Sequence, residues 1–291
     1  MGPLIICGMH RSGTSLVTRS LEAIGLFTGH DKEHNHEAIF FLTINQWLFE
    51  QLNASWDNPY NMRFLNADLA GYFQVVIRNL LGSQSASAYT GPAPRYRMVF
   101  NPGCDIPWGW KDPRNTFTAG IWGTLFPDAR LLHICRNPLD VADSLRRREH
   151  EILDHNRSLL TQMLPEQLDG AMQFQQSPRL FHLQEGLALW DDYTQQALAM
   201  EAMFGTRALR VRYEDFLAHP SRELAHIAAF AGLSPTPAHL ESATSQVDPS
   251  RRLAFRDDPE LMLAYDTCRR WQSMQILGYD RLIDPSSSSA A

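Results

Sequence analysis

Residues 4–15 have the composition and spacing of an anion-binding loop: Leu-Ile-Ile-Cys-Gly-Met-His-Arg-Ser-Gly-Thr-Ser. Four apolar residues lead into Gly8, and an apolar-periodic segment over residues 16–24 follows Ser15, which predicts a strand, a tight loop and a helix. Glycines let the backbone turn sharply beside a ligand. The unpaired amides at the start of the helix favour a phosphate or sulfate there. The segment therefore predicts oxyanion binding.

The loop differs from the nucleotide-triphosphatase pattern at one position. The spacing from Gly8 to Gly13 matches that pattern, but Thr14 stands where those enzymes carry lysine. The basic residue is instead Arg11, whose planar and permanently charged guanidinium suits an oxyanion. We expect the loop to hold an anion without the usual features of ATP hydrolysis. The alternative is a simple glycine- and serine-rich turn between a strand and a helix.

A second basic motif, Arg-Asn-Pro-Leu-Asp-Val-Ala-Asp-Ser, covers residues 136–144. Arg136 follows a strand-like apolar run, and Ser144 comes eight residues later, which is about two helical turns. The guanidinium and the hydroxyl could converge on one oxyanion as charge and as hydrogen-bond donor. Alternatively, Arg136 is a surface residue and Ser144 a helix residue that never meets it.

Taken together, the two motifs resemble those of sulfotransferases that use 3′-phosphoadenosine 5′-phosphosulfate (PAPS). In that family, a segment like residues 11–15 holds the 5′-phosphosulfate, and a segment like residues 136–144 holds the 3′-phosphate. Residues 211–215, Val-Arg-Tyr-Glu-Asp, are similar to a strand end whose tyrosine lies near the adenine. The closing Leu-Gly-Tyr-Asp also resembles the end of many members. The resemblance covers residues 4–16, 108–145, 207–232 and 271–280, and extends only loosely over 150–206.

The resemblance implies PAPS as sulfuryl donor and no metal. Arg11 would contact the phosphosulfate, Arg136 and Ser144 the 3′-phosphate, and Tyr213 the adenine. The donors to the 5′-phosphate would be Ser12, Gly13, Thr14 and Ser15. Many members carry a tryptophan after the loop where this chain has Leu16, so we expect the adenine to be held differently. A sulfuryl group is less charged than a terminal phosphoryl group, so catalysis would rest on positioning and electrostatic stabilisation.

The acceptor hydroxyl must lose a proton to a nearby base. Residues 31–37 occupy the place where some sulfotransferases carry a glutamate, and Asn-His-Glu at 35–37 resembles the Asn-x-Glu pattern expected in bacterial members. We favour Glu37 as the base, followed by Glu33 and His34. The alternative for Glu37 is an acid at the start of a helix, where the helix dipole favours a carboxylate.

Two further basic groups allow more than one interpretation. Lys111 is either a second cation near the sulfuryl group or the partner of Asp112 or another carboxylate. The histidines at 30, 34 and 36 have a loose spacing and no paired cysteine, which favours a solvated loop over a metal site.

The order of predicted elements gives the fold class. Strands are predicted at 4–9, 129–135 and 207–213, with a further possible strand at 97–100. Helices are predicted at 13–24, 35–52, 67–81, 115–125, 139–150 and 222–231, and residues 151–206 are mainly helical with breaks near Pro165 and Pro178. This alternation predicts an α/β fold of three layers, in which helices flank a central parallel sheet as in P-loop proteins. Ligands of such sheets bind beyond the carboxyl ends of the strands, where the motifs lie.

Composition limits the remaining choices. The chain has 291 residues, a net charge of −6 and 44% apolar residues, which disfavours a general nucleic-acid binder. Four cysteines without a Cys-x-x-Cys pair predict buried free thiols. No apolar run reaches the roughly 20 residues that span a bilayer, and the first run is too short for a signal peptide. We expect a cytoplasmic protein with one domain over residues 1–284 and a disordered tail over 285–291.

The function favoured by the sequence is PAPS-dependent sulfuryl transfer to a hydroxyl acceptor, a carbohydrate or glycoconjugate. A small-molecule kinase using the same loop is one alternative, although the missing lysine and the motif at 136–144 disfavour it. A non-catalytic nucleotide-binding protein is another. The sequence does not indicate an oligomeric state.

Overall fold

The computed structural model describes residues 2–94, 96, 99–101, 104–160, 162 and 176–283, without the side chains of 158–160. The chain forms two compact units. The first is Met1–Arg136 with Asp192–Arg252, and the second is Asn137–Asp191 with Leu253–Ala291. The first unit contains the sheet and the loop at residues 8–13. One domain over 1–284 stays a prediction.

The first unit is built on a parallel sheet, as predicted, and its four strands are β1 (Leu4–Cys7), β2 (Gly109–Lys111), β3 (Arg130–Cys135) and β4 (Ala208–Arg212). β1, β3 and β4 match predicted strands, whereas β2 lies outside every predicted strand. The strand order is β2-β1-β3-β4, and Leu4 pairs with both Gly109 and Arg130. The chain leaves β1 towards β2 on one side and leaves β3 towards β4 on the other. The point at which the order reverses therefore lies between β1 and β3, where parallel sheets bind their ligands.

Helices connect the strands and extend the fold. They are α1 (Thr14–Ala23), α2 (Ile39–Gln51), α3 (Ala67–Leu81), α4 (Ser87–Thr90), α5 (Asn115–Leu125), α6 (Pro138–Leu160), α7 (Leu183–Phe204), α8 (Tyr213–Ala218), α9 (Pro220–Ala231), α10 (Pro237–Thr244), α11 (Pro259–Cys268) and α12 (Gln272–Leu277). Short 3₁₀ turns lie at Pro59–Phe64, Gln84–Ala86, Pro178–Phe181, Gly205–Arg207, Pro249–Arg251 and Ala254–Asp257.

The sheet has a helical layer on each face, because successive side chains of a strand point to opposite sides. Ile5 and Cys7 of β1 belong to one apolar cluster, together with residues of α2, α3 and α5. Leu4 and Ile6 belong to the other cluster, together with residues of α1 and α9. All four residues of β1 are buried, which is typical of a central parallel strand. The three-layer α/β prediction is confirmed.

Several predicted boundaries differ from the structure. Helices α3 and α5 have the predicted bounds, but α2 begins at Ile39 rather than at residue 35, because a bridge between Lys32 and Ala38 closes the preceding residues into a loop. Helix α6 extends beyond residue 150 to Leu160. Helix α8 was not predicted.

The remaining predictions concern residues within or next to the parts of the chain that the structure does not describe. Residues 99 and 100 lie in a turn, whereas 97 and 98 of the possible strand lie outside the described residues. The predicted break near Pro178 is a 3₁₀ turn. Pro165 and the tail 285–291 also lie outside the described residues.

The second unit is held by polar contacts between α6 and the chain that follows residue 252. The amide of Phe255 donates to Asp140 Oδ1 at 2.8 Å, and Arg146 donates to Glu260 Oε1 at 2.8 Å. The Tyr265 hydroxyl donates to the carbonyl of Tyr279 at 3.0 Å. Ser144 lies on α6.

The cysteines are free, as predicted: Cys7, Cys135 and Cys268 are buried, and Cys104 is partly buried. None of the helices in the described ranges combines the length and apolar character required to cross a bilayer.

Candidate functional site

The loop between β1 and α1 has a constrained backbone. Gly8 and Gly13 adopt φ angles of 139° and 92°, and a Cβ at Gly8 would collide with the carbonyl of Ile134. Arg11 also has a positive φ, 67°, in the left-handed region that costs a residue with a side chain roughly 1–2 kcal/mol. The surrounding fold holds this geometry and leaves Arg11 exposed. Strain of this kind concentrates at functional sites.

The loop ends at the amino terminus of α1 with unpaired amides. The first helical hydrogen bonds are donated by Leu16 and Val17 to the carbonyl of Gly13, at 3.1 and 3.2 Å. In the part of the chain that the structure describes, the amides of Gly13, Thr14 and Ser15 form no hydrogen bond. These three donors and the positive end of the helix dipole form a site suited to an anion.

Ser12 has a different position from its neighbours. It is fully buried, its hydroxyl donates to the carbonyl of Met9 at 2.6 Å, and its amide donates to the same carbonyl at 3.2 Å. A serine hydroxyl has one proton, so its donor is engaged within the loop. Ser12 therefore shapes the loop, whereas Gly13, Thr14 and Ser15 present donors.

Arg136 meets the loop after β3. Its Nη1 donates to the carbonyl of Arg11 at 3.2 Å, across 125 positions of sequence, and its Nη2 donates to the carbonyl of Arg251 at 3.4 Å. This meeting follows from the topology, since the chain segments that follow β1 and β3 flank the reversal point of the sheet. The structure thus brings the two predicted basic motifs together at Arg136.

Tyr213 packs against both the loop and Arg136. The tyrosine begins α8 immediately after β4, and a Cβ added to Gly13 would collide with its ring. The Arg136 guanidinium carbon lies 5.0 Å from the centre of the ring. Burial raises the pKa of the Tyr213 phenol, against the opposing effect of the Arg136 charge. The neutral ring therefore fixes the loop and the arginine, and its contact with adenine stays a prediction.

Glu37 and Lys111 form a buried ion pair. Lys111 ends β2, Glu37 precedes Ala38, the residue that caps α2, and Lys111 Nζ lies 2.5 Å from Glu37 Oε1. The two side chains are only 2% and 8% exposed. Burial lowers the pKa of the Lys111 ammonium to about 8, although the charge of Asp112 opposes this effect. Lys111 therefore has a carboxylate partner, but the partner is Glu37 and not Asp112.

The other proposed bases face different surroundings. The Glu33 carboxylate accepts a hydrogen bond from Asn35 Nδ2 at 3.2 Å and lies 3.8 Å from His34 Nδ1, and the side chain of His34 is 84% exposed. Neither contact involves a residue of the sheet. Glu37 directly precedes Ala38, the residue that caps α2, so it lies just before the first turn of the helix. The role of Glu37 as the base stays a prediction.

A buried polar network behind the site was missed by the sequence analysis. Asp112 accepts from the Arg114 amide at 2.9 Å and from Asn45 Nδ2 at 2.9 Å, and Asn45 also donates to Asn115 Oδ1 at 2.8 Å. The hydroxyl of Thr116 accepts from the Gly8 amide at 3.3 Å and supports the loop. The available signal was Asn45 itself, a polar residue within an otherwise apolar helical stripe.

Three further predictions have a defined place. Ser144 lies on α6 in the second unit, so its joint action with Arg136 stays a prediction. Leu16 packs against the apolar cluster shared by α1 and α9. Among the described residues, no group of three or more histidine, cysteine or acidic side chains is arranged to hold a metal, and His30 pairs with Asp31 at 2.7 Å.

A cavity of about 400 Å³ lies away from the loop. It is lined by residues that follow or end α1, including Glu22, Phe27, Thr28 and Lys32. Because α1 has ten residues, this cavity is about 15 Å from the loop and does not contain the anion site.

A family model matches most of the chain. Residues 3–237 match the sequence profile of the sulfotransferase family. Similar solved structures include the sulfotransferase domain from the curacin biosynthetic pathway (17% identity, 91% of this chain and 96% of that chain, TM-score 0.48). Others are a sulfotransferase from Alicyclobacillus acidocaldarius (16%, 95% and 95%, 0.47) and the sulfotransferase domain of the Synechococcus PCC 7002 olefin synthase (18%, 96% and 94%, 0.45). No curated protein sequence matches the chain significantly.

Proposed function

This chain belongs to the sulfotransferase family, and we propose that it transfers the sulfuryl group of PAPS to a hydroxyl acceptor. The observation that carries the proposal is the hydrogen bond from Arg136 to the carbonyl of Arg11, which joins two basic motifs that lie 125 positions apart. PAPS is anionic at both its 5′ and 3′ ends, so it requires two basic groups at a fixed separation.

The residues of the site divide between the two ends of the donor. The amides of Gly13, Thr14 and Ser15 would bind the 5′-phosphate, with Arg11 beside the sulfuryl group. Arg136 would bind the 3′-phosphate, and its two carbonyl contacts and the Tyr213 ring orient it for that role. Ser144 is the proposed second contact of the 3′-phosphate.

The reaction needs a base and charge stabilisation. As the acceptor oxygen bonds to sulfur, Glu37 accepts the hydroxyl proton, the bond from sulfur to the phosphate oxygen breaks, and 3′,5′-diphosphoadenosine leaves with the electron pair. Arg11 offsets the charge that develops on the leaving oxygen. Once Glu37 is protonated, the Lys111 ammonium loses its counter-charge and attracts the sulfuryl oxygens.

We assign a carbohydrate or glycoconjugate as the acceptor class. The partly exposed Trp56 lies next to the loop, and its ring centre is 4.6 Å from that of His10. The Tyr193 hydroxyl donates to the carbonyl of Trp56 at 2.8 Å and holds this segment in place. An aromatic ring at the edge of the loop offers a face on which a sugar can stack.

The decisive experiment compares nucleotides by thermal unfolding, since a ligand that binds the folded state raises the midpoint. We expect 3′,5′-diphosphoadenosine to stabilise the protein more than AMP, which lacks the 3′-phosphate, and more than ATP with magnesium. Arg136→Ala should abolish the preference over AMP. Greater stabilisation by ATP with magnesium would support the kinase alternative and refute the proposal.

Turnover is then measured with labelled PAPS and a panel of glycans. We expect label on a sugar hydroxyl, together with release of 3′,5′-diphosphoadenosine. Transfer only to non-carbohydrate hydroxyls would refute the acceptor class but not the donor. Tight binding of PAPS with no transfer to any hydroxyl in the panel would favour a non-catalytic nucleotide-binding protein.

A further inference from the structure

Glu22 is a carboxylate at the unfavourable end of a helix. It lies in the last turn of α1, where the negative end of the helix dipole disfavours an anion by about 0.3–1 kcal/mol. No basic residue of the same turn compensates for it. The side chain is also mostly buried, being 20% exposed. Its position therefore requires partners from outside the helix.

Three side chains provide those partners. Lys32 Nζ lies 2.6 Å from Glu22 Oε1, His36 Nδ1 lies 3.0 Å from Glu22 Oε2, and the Thr28 hydroxyl donates to Oε1. Burial raises the pKa of the Glu22 carboxyl, but the hydrogen bonds from Lys32 and Thr28 outweigh burial, so that the pKa is lowered. We call Glu22 with Thr28, Lys32 and His36 the Glu22 clasp.

Two members of the Glu22 clasp, Lys32 and His36, belong to the short loop that contains Glu37. Residues 32–38 are closed by the bridge between Lys32 and Ala38, and the amide of Glu33 donates to the carbonyl of Glu37 at 3.0 Å. His36, immediately before Glu37, has a φ of 66°, a conformation that persists only where surrounding contacts enforce it. The contact of His36 with Glu22 is one such constraint.

We propose that Glu22 is a positioning residue that sets the place of Glu37 relative to residues 8–15, which we call the anion loop. The anion loop leads into the amino end of α1, and the last turn of α1 holds residues 32–38 through the Glu22 clasp. One helix of ten residues thus fixes both the donor end and the base of the reaction. The effect on turnover rests on the proposed function, whereas the effect on the loop does not.

The first test measures amide hydrogen exchange of a peptide over residues 31–39. The amides of His36 and Ile39 donate to the carbonyls of Glu33 and Asp31, at 3.0 and 2.9 Å, and report on closure of the loop. Glu22→Gln should accelerate their exchange about tenfold. Unchanged exchange in a folded Glu22→Gln protein overturns the proposal.

Two other variants keep this test decisive. His36→Gln removes a partner from the loop side and should also accelerate exchange, even if Glu22→Gln fails to fold. The matched control is Asp31→Asn, because Asp31 is a neighbouring carboxylate whose partner, His30, is exposed. This control should leave exchange unchanged, and acceleration equal to that of His36→Gln would overturn the specific role of the clasp.

The second test is a double-mutant cycle on kcat. Glu22→Gln should lower kcat about tenfold and leave KM for PAPS unchanged. In a Glu37→Gln background it should have no further effect, because a residue that acts through Glu37 loses its influence when Glu37 is replaced. Multiplying effects would overturn the positioning role. Absence of turnover in the wild-type protein would count against the proposed function, and the exchange test would then decide the clasp alone.

Discussion

The anion loop and the Glu37–Lys111 pair lie at the same edge of one sheet but are built in opposite ways. The loop presents backbone amides from consecutive residues and an exposed arginine. The pair consists of two side chains that are 74 positions apart and almost fully buried. The comparison shows that a loop suited to an anion is recognisable from consecutive residues, whereas a buried ion pair exists only after folding.

The difference in burial between the two regions also predicts which substitutions change activity alone and which change stability as well. Arg11 is exposed, so its side chain can be replaced with little loss of buried packing. The Glu37 side chain cannot be replaced in this way, because its loss leaves the buried Lys111 ammonium without a carboxylate partner. Substitutions in the two regions should therefore have distinguishable signatures, and the largest effect should come from the pair.

Glu37→Gln should reduce both activity and stability. We expect kcat to fall about 100- to 10,000-fold through loss of the base. The free energy of unfolding should fall by about 3–5 kcal/mol through loss of the buried pair. Denaturant unfolding and turnover check the two effects. The control is a Glu37→Gln and Lys111→Met double variant, which should regain stability but not activity. Full activity of Glu37→Gln would eliminate this residue as the base.

Arg11→Ala should reduce activity alone. Removing a charge-stabilising donor at a developing oxyanion lowers kcat about 100- to 1,000-fold. The thermal midpoint should stay unchanged, because the side chain is exposed. Turnover and thermal unfolding of the same preparation test this contrast. A large drop in the midpoint would show that Arg11 is a structural residue and would remove the distinction between the two regions.

Arg136→Ala should act on donor affinity. Loss of a charge-assisted hydrogen bond of about 1.5–3 kcal/mol predicts roughly 10- to 150-fold weaker binding of 3′,5′-diphosphoadenosine. Titration calorimetry measures the affinity, and Arg252→Ala, at a neighbouring exposed arginine, is the control. An unchanged affinity would contradict the assignment of Arg136 to the 3′-phosphate.

The smallest effect is expected from pH. The ammonium of Lys111 has a pKa of about 8, so turnover should fall as the pH rises through about 8. The free energy of unfolding should change in the opposite direction. Between about pH 8 and 10 the unfolded chain binds more protons at Lys111 than the folded chain does. The free energy of unfolding therefore rises with pH over this range. The pH–rate profile and unfolding at several pH values measure both. The Lys111→Arg variant keeps a positive charge at high pH, so its turnover should no longer fall above about pH 8. If turnover still falls in this variant, the titrating group is a residue other than Lys111.

Local patterns predicted much of the fold. The bounds of α3 and α5 follow from helical periodicity, and β1 and β3 follow from short apolar runs. The start of α2 could not be predicted in this way, because the bridge between Lys32 and Ala38 competes with helix formation. Helix α8 is only six residues long, too short to show a clear period.

The site was predictable to different extents. The rule that ligands bind beyond the carboxyl ends of parallel strands placed Arg136 at the same edge as the loop. It could not show that Tyr213 would pack on Gly13, or that the Ser12 hydroxyl would donate to the carbonyl of Met9. Those contacts depend on the packing of side chains that no spacing encodes.

The sequence by itself determined the anion loop and its family, because glycine spacing, helix-terminal amides and a charged arginine act within one short segment. Only the tertiary structure decided that Lys111 pairs with Glu37 and that Glu22 contacts Lys32 and His36 in the loop before Glu37. The physical reason is that attraction between charges depends on their separation in space and their exclusion from water. Chain folding alone sets both of these for residues far apart in sequence.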